Sequence, residues 1–353
     1  MRSFWTALAV AAGLLLLVGG GALAYAVRSL DTPAGRGPVQ VFEIPDGQPL
    51  ARVVRRLESA GLIPEVPVIG TRGLMVWARM NGIDRAVKAG EYDLSPAMSP
   101  REILEKLRTG GGKTYAITVP EGWSSYEIAS RLERLGITRA DAFLASVHSP
   151  EAARARGIEA DSLEGYLYPE TYRFARETPA DEVVKRMVDQ FESSLSDEDR
   201  AQLEASGRSL HEVVTLASIV EKETGAADER SRIAAVFLNR LGRRMRLQSD
   251  PTVIYGIRRS MGRFDGNLRR ADLMTDTPYN TYRRGGIPPG PIASVGIQAI
   301  RAVLAPEQVK YLYFVSRNDG THHFSNTLRE HNNAVNRYQR PGERPSRFSA
   351  IAP

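Results

Sequence analysis

The pattern of hydrophobic and polar positions divides this chain into an apolar run, a repeated strand-and-helix unit and a long, mostly helical remainder. Phe4–Val27 is 24 residues without a charge, rich in Gly and Leu, with Arg2 before it and Arg28 after it. At a helical rise of about 1.5 Å per residue that run spans a bilayer's hydrocarbon core, which predicts a transmembrane anchor. A cleaved signal peptide is the alternative, with Ala22-Leu23-Ala24 as its A-x-A site, although the run is long for that purpose. Arg2 on a three-residue tail predicts a cytoplasmic N-terminus, an asymmetry that Arg28 weakens. Either reading places the rest of the chain outside the cytoplasm.

After the Pro/Gly stretch Asp31–Pro38, one pattern occurs twice, 75 residues apart. Phe42-Glu-Ile-Pro-Asp-Gly47 leads through a helical stretch to Leu57-Glu58 and Gly61-Leu62; Ile117-Thr-Val-Pro-Glu-Gly122 leads to Leu132-Glu133 and Gly136-Ile137. Each copy reads as a strand, a Pro-x-Gly turn and an amphipathic helix stopped by Gly. Lys88–Leu94 reads as a strand, and Ser99-Pro-Arg-Glu102 as a capping box opening a helix over Arg101–Arg108. Gly110-Gly-Gly112 is an expected hinge. Further on, Asp228, Asp250 (before Pro251) and Ser294 are expected to open helices. Tyr311–Ser316 and His322–Ser325 are expected to pair across the turn Asn318-Asp-Gly320. The expected organisation is a tail 1–3, an anchor 4–27, a linker 28–38, a small βα module 39–112, a mixed α+β domain 113–340 and a C-terminal tail 341–353. The fold class is α+β.

Val213–Gly225 holds the most informative pattern. Val213, Val214, Ala217 and Val220 recur at helical spacing, and Glu221 falls on the same face, four residues after Ala217. A carboxyl at the edge of an apolar face is partly desolvated and keeps its proton to higher pH, as a general acid must. A helix-end glutamate paired with Lys222 or a nearby Arg fits the same spacing. Glu223 is expected on the opposite, solvated side.

Composition narrows the chemistry. The chain has no cysteine, which excludes disulfides, thiolate catalysis, Cys-ligated zinc and lipidation at an N-terminal Cys. Its net charge of +6 is spread throughout and accompanied by no nucleic-acid motif, so it suits anionic surfaces such as membrane or cell wall. His322 and His323 are hairpin neighbours that point to opposite faces, and no HExxH-type pairing is present, so no metal is expected. Loops bearing Tyr, Asn and Gln among Pro and Gly suit a groove that stacks on sugar rings. Singly, each better suits a tight turn whose aromatics fill the core; together, after one shielded glutamate, they lean toward a carbohydrate cleft.

Leu163-Glu-Gly with Tyr168-Pro-Glu-Thr-Tyr172, Leu216-Ala-Ser-Ile-Val-Glu-Lys-Glu-Thr224, Asn239-Arg-Leu241, Leu247-Gln-Ser-Asp-Pro-Thr-Val-Ile-Tyr255, Tyr279-Asn-Thr-Tyr282 and Pro288-Pro-Gly-Pro-Ile292 resemble the MltG (YceG-like) endolytic murein transglycosylases in order and spacing. The resemblance covers nearly everything after the linker. It implies a bitopic inner-membrane lyase with a LysM-like N-terminal module and an extracytoplasmic catalytic domain that cleaves nascent peptidoglycan strands near the membrane. It also implies that Glu221 is the catalytic acid and then base, giving 1,6-anhydro ends without a cofactor. Glu164 is a candidate second carboxylate or substrate contact, with a structural acid paired to Arg as its alternative. Gln248, Asp250, Tyr279 and Asn280 are further groove candidates, and His322 and His331 match the family's closing motif as cleft-shaping or glycan contacts. Candidate partners are peptidoglycan strands, the membrane, and peptidoglycan synthases and division proteins; nucleic acid is not among them. A murein-binding scaffold with a structural Glu221, or a hydrolase leaving reducing ends, are the rival readings.

Overall fold

The computed structural model describes residues 20–21, 25, 28–45, 47–64, 70–110 and 112–339. The tails 1–3 and 341–353 lie outside the described residues, as does the expected anchor 4–27 apart from positions 20, 21 and 25. Among the described residues, no helix is long and apolar enough to cross a membrane. The architecture is α+β, with helices joined by sheets of two strands each. The chain divides into two units, Met1–Tyr115 with Arg173–Glu177, and Ala116–Tyr172 with Thr178–Pro353. The return of 173–177 to the first unit has no counterpart in the sequence pattern.

In the first unit, β1 (Gln40–Ile44) is followed by helices α1 (Leu50–Ser59) and α2 (Gly70–Met80), strand β2 (Gly90–Leu94) and helix α3 (Pro100–Thr109). β1 and β2 pair antiparallel from Gln40↔Leu94 to Ile44↔Gly90, which sets Phe42 opposite Tyr92 on the buried side. Val53, Val54 and Leu57 of α1 meet Ile103, Leu104 and Leu107 of α3 in one apolar core, consistent with each helix's single apolar stripe. The expected capping box is present. The Ser99 amide donates to Glu102 Oε2 at 2.7 Å, and the Glu102 amide donates back to Ser99 Oγ at 3.3 Å.

The remaining elements are β3 (Tyr115–Thr118), α4 (Ser125–Arg134), α5 (Ala140–Val147), α6 (Pro150–Arg154), β4 (Thr171–Phe174), α7 (Ala180–Ser194), α8 (Asp197–Ser206), α9 (Leu210–Glu223), α10 (Arg230–Gly242), α11 (Asp250–Met261), α12 (Ile297–Leu304), β5 (Tyr313–Ser316), β6 (His322–Ser325) and α13 (Leu328–Tyr338). Helix α9 is the centre of the second unit, packed by α10, α11 and α12. It is buried without a break from Val213 to Val220. A helix apolar on all sides belongs in the middle of a domain, not on its surface. The expected hairpin forms, with Tyr313 opposite Ser325 and Ser316 opposite His322.

The two copies of the sequence repeat end their helices alike. Gly61 (φ 67°) and Gly136 (φ 66°) are left-handed. The next amide reaches back five residues, from Leu62 to the Leu57 carbonyl at 2.9 Å and from Ile137 to that of Leu132 at 3.0 Å. The expected helix starts shift by small amounts. Asp228 lies in a 3-10 turn, with Glu229 at the N-cap of α10. Ser249, not Asp250, holds the N-cap of α11, and Gly296 that of α12.

Candidate active site

Glu221 lies in the last turn of α9, and its side chain is only 5% exposed. Three elements of the second unit converge on its carboxyl. From α10, the Arg230 guanidinium donates to Oε1 at 3.3 Å. At the start of α12, the Gly296 amide donates to Oε2 at 3.1 Å. From the turn between β3 and α4, Glu121 comes within 3.7 Å of the same Arg230 nitrogen. Burial pushes the Glu221 carboxyl above the ordinary range and the neighbouring Glu121 charge adds to this, while Arg230 and the Gly296 amide pull the other way. The turn carrying Glu121 is pinned in place. Lys222 Nζ donates to the Gly122 carbonyl at 3.0 Å, the Gly122 amide to Ser294 O at 2.9 Å, and the Ser294 amide to Trp123 O at 2.7 Å. A carboxylic acid so placed can give up a proton, and its conjugate base is met by one cation and one backbone N–H.

Glu223 is not solvated. It is 1% exposed, accepts from Ser249 Oγ at 2.7 Å, and burial raises its carboxyl to about 8. The expectation of a wet back face fails because α11 covers that side of α9.

The other candidates from the sequence gather in three places apart from the Glu221 contacts. Glu164 is fully buried. It accepts from the Ser125 amide at 2.9 Å, from Ser125 Oγ at 2.6 Å and from Tyr255 OH at 3.0 Å, and burial raises it to about 6. These partners, rather than an arginine, tie the Leu163–Tyr166 turn to the start of α4. Tyr279 stacks edge-on against Tyr255, with ring centres 4.9 Å apart. Around Glu223, Gln248 accepts from Arg240 Nη1 at 3.0 Å, and Asp250 accepts from Tyr282 OH at 2.6 Å. Asn280 donates to the Leu273 and Thr275 carbonyls at 3.0 and 2.7 Å and accepts from the Tyr282 amide at 2.9 Å. In the hairpin, His322 Nδ1 lies 2.7 Å from Glu229 Oε2, and on α13 His331 is buried with its ring stacked on Tyr313 of β5 at 5.2 Å. Glu164 and Asn280 hold backbone groups through these bonds, and Glu164, Asn280 and His331 are all fully buried.

Several of the sequence strings do meet along α9. Ser218 Oγ accepts from the Ile292 amide at 3.0 Å, at the end of the Pro288–Ile292 loop. His211 bridges Tyr166 OH at 3.1 Å and the Pro289 carbonyl at 3.0 Å. Sequence reading missed Glu121, Arg230 and Gly296. Arg230, nine residues on, is the nearby arginine that the helix-end reading allowed without naming it, whereas Gly296 is 75 residues away and carries no periodic signal. Glu121 sat within the second Pro-x-Gly turn, where its acidity was the available clue. Among the described residues, no group of His, Asp or Glu could hold a metal ion.

The profile of the YceG-like family matches residues 42–337. The chain is 30% identical over 339 residues to the endolytic murein transglycosylase of Bacillus subtilis strain 168, covering 91% of each protein. It is 29% identical over 325 residues to the protein of the same name from Streptococcus pneumoniae serotype 2, covering 83% of this chain and 57% of the longer relative. Among solved structures, a YceG-like protein from Listeria monocytogenes is 32% identical with a TM-score of 0.57, covering 85% of this chain and all of that one.

Proposed function

The chain belongs to the YceG-like family, and from that premise we propose that it is an endolytic murein transglycosylase whose general acid is Glu221. The observation that carries the assignment is the Glu221 carboxyl, nearly sealed from water, held between Arg230 and the Gly296 amide, and shifted toward its protonated form. Protonated Glu221 delivers its proton to the oxygen linking N-acetylmuramic acid to N-acetylglucosamine, and the C1–O bond breaks. The resulting carboxylate is stabilised by Arg230 and the Gly296 N–H, then takes the proton of the muramic acid C6 hydroxyl as that oxygen attacks C1. A 1,6-anhydro end forms, no water is consumed, and Glu221 is protonated again. One carboxyl thus serves both steps, whereas a two-carboxylate hydrolase needs a partner set at about 5–5.5 or 6.5–9.5 Å.

The test is product chemistry on purified glycan strands. Wild-type protein is expected to release fragments with anhydro ends, and Glu221→Gln to lose them while keeping its fold. Reducing ends would assign hydrolysis instead, and unchanged cleavage in Glu221→Gln would remove Glu221 from the mechanism and leave a scaffold role.

The same reading includes a single-pass anchor over 4–27, with the N-terminus cytoplasmic and the catalytic unit outside the inner membrane; its support is the uncharged run and its flanking arginines. The antiparallel strand pair and packed helices of the first unit are the support for a LysM-like, glycan-binding role. Peptidoglycan synthases and division proteins are the partners such placement favours. An anchored enzyme cleaves glycan close to the membrane, so lengthening the 28–38 linker should lengthen the products; unaltered product length would count against anchoring as the ruler.

A further inference from the structure

We propose that Glu121 is a positioning residue for this reaction: by competing with Glu221 for the Arg230 guanidinium, it keeps the proton on Glu221 until the glycosidic oxygen arrives. The inference rests on Glu221 being the acid, and adds how its proton is retained beside a permanent cation. An arginine alone at 3.3 Å would draw the carboxyl toward ionisation and spoil it as a donor. The geometry sets a second carboxylate against that pull. Glu121 reaches the same Nη2 atom at 3.7 Å, and unlike Glu221 it is 47% exposed, so it carries its charge at little cost.

Two features hold Glu121 at this post. Its turn is tied to both flanking elements through Lys222, Ser294 and Trp123, as described above. Below it, position 296 has no side chain; a Cβ there would lie 1.9 Å from Glu121 Oε1 and 2.5 Å from its Cδ. Gly296 has φ −76° and ψ 155°, a conformation any residue adopts, so backbone freedom is not what demands glycine here. A Cβ at this position would push the Glu121 carboxyl aside.

The other charged groups of the packed elements are engaged elsewhere. On α9, the Lys222 ammonium is turned to the Gly122 carbonyl and Glu223 faces Ser249. On α12, Arg301 is bound to Asp199 at 2.7 Å, and on α11, Asp250 holds Tyr282. Also on α11, Arg258 pairs with Glu127 at 3.2 Å and Arg259 lies 2.7 Å from His148 Nδ1. On α10, Arg232 is paired with Glu307 at 2.9 Å, Arg240 donates to the Leu312 carbonyl at 2.6 Å, and Glu229 at the N-cap lies 2.7 Å from His322 Nδ1. Burial is the largest influence on the Glu221 carboxyl, and Glu121 and Arg230 are the charges that act on it in opposite directions.

The experiment is the pH profile of kcat on purified glycan strands for the full chain and for Glu121→Gln, Gly296→Ala and Glu221→Gln. Loss of the acid's proton produces the alkaline limb. Removing the Glu121 charge leaves Arg230 wholly to Glu221, so the limb should move to lower pH. Activity should fall several-fold above the limb and stay near wild type below it. Gly296→Ala keeps the N–H that Glu221 uses but displaces the Glu121 carboxyl, and should reproduce that shift. Glu121→Gln alters a half-exposed side chain, so folding is not at stake in that variant. An unmoved limb, or an equal loss at every pH, would overturn the proposal. If Glu221→Gln abolishes cleavage in the same series, the assignment of Glu221 survives that failure. Cleavage by Glu221→Gln would instead overturn the assignment itself.

Discussion

Two glutamates two positions apart, Glu221 and Glu223, end the same helix in different surroundings. Glu221 meets a cation, a backbone N–H and the charge of Glu121. Glu223 meets Ser249 inside a cluster of hydroxyls, with the Ser249 amide donating to Thr281 Oγ1 at 3.0 Å and Thr252 and Thr281 hydroxyls 2.8 Å apart. Burial raises both carboxyls, and Glu223 more clearly, to about 8. A raised proton affinity therefore does not by itself mark the catalytic group. What separates them is provision for the charged form. Glu221 has partners ready for the carboxylate it becomes, whereas Glu223 has a neutral hydroxyl and no cation on its oxygens among the described contacts.

The largest expected break in this comparison is in turnover. Glu221→Gln should lower the release of anhydro ends by about 10²–10⁴-fold, the usual worth of a positioned general acid. Glu223→Gln, measured in the same assay, should stay within several-fold of wild type. An equal collapse in both would erase the distinction.

The next effect is on stability against pH. The folded Glu223 carboxyl, at about 8, holds its proton longer than the ordinary 4.5 of an unfolded glutamate. Below the unfolded value both states are protonated and stability is unaffected. As pH rises from there to about 8 the unfolded state ionises first, so the folded state loses ground; above 8 the loss is complete. Glu164 adds a slope of the same sign, ending near 6. Melting temperature should thus fall from pH 6 to 8 in wild type and fall less in Glu223→Gln; identical slopes would show that Glu223 is ionised or unshifted.

The smallest effect concerns the loop held against α9 one turn before the two carboxyls. Ser218→Ala leaves the buried Ile292 amide without its acceptor and should cost about 1–3 kcal/mol by chemical denaturation. A cost well below that range would mean the Pro288–Ile292 loop is held by other contacts.

The repeated unit shows how much of the fold was legible in sequence. Pro-x-Gly followed by Leu-Glu and a stopping Gly was enough to place strand, turn and helix twice, because each signal is satisfied within a few residues. Asp250 shows the limit of that local reading: it preceded a Pro and looked like a cap, yet Ser249 took the cap and Asp250 took the Tyr282 hydroxyl. That hydroxyl belongs to a residue 32 positions away, which local pattern does not bring into view. The burial of Glu223 has a related cause. Periodicity assumed one wet face, whereas the run from Val213 to Val220 carries no charge on any side, a sign in the sequence itself that the helix is enclosed.

By itself the sequence determined the α+β class, the Gly-stopped helix ends of the repeat, the hairpin, the family and Glu221 as the candidate acid, since each rests on short-range pattern or on ordered motifs. Only the tertiary structure decided which groups surround that acid. Arg230, Glu121 and Gly296 come from three separate elements, and no periodicity within one element encodes what another brings to it. The burial of Glu223 was decided in the same way, because a side chain's exposure depends on the neighbour that packs over it.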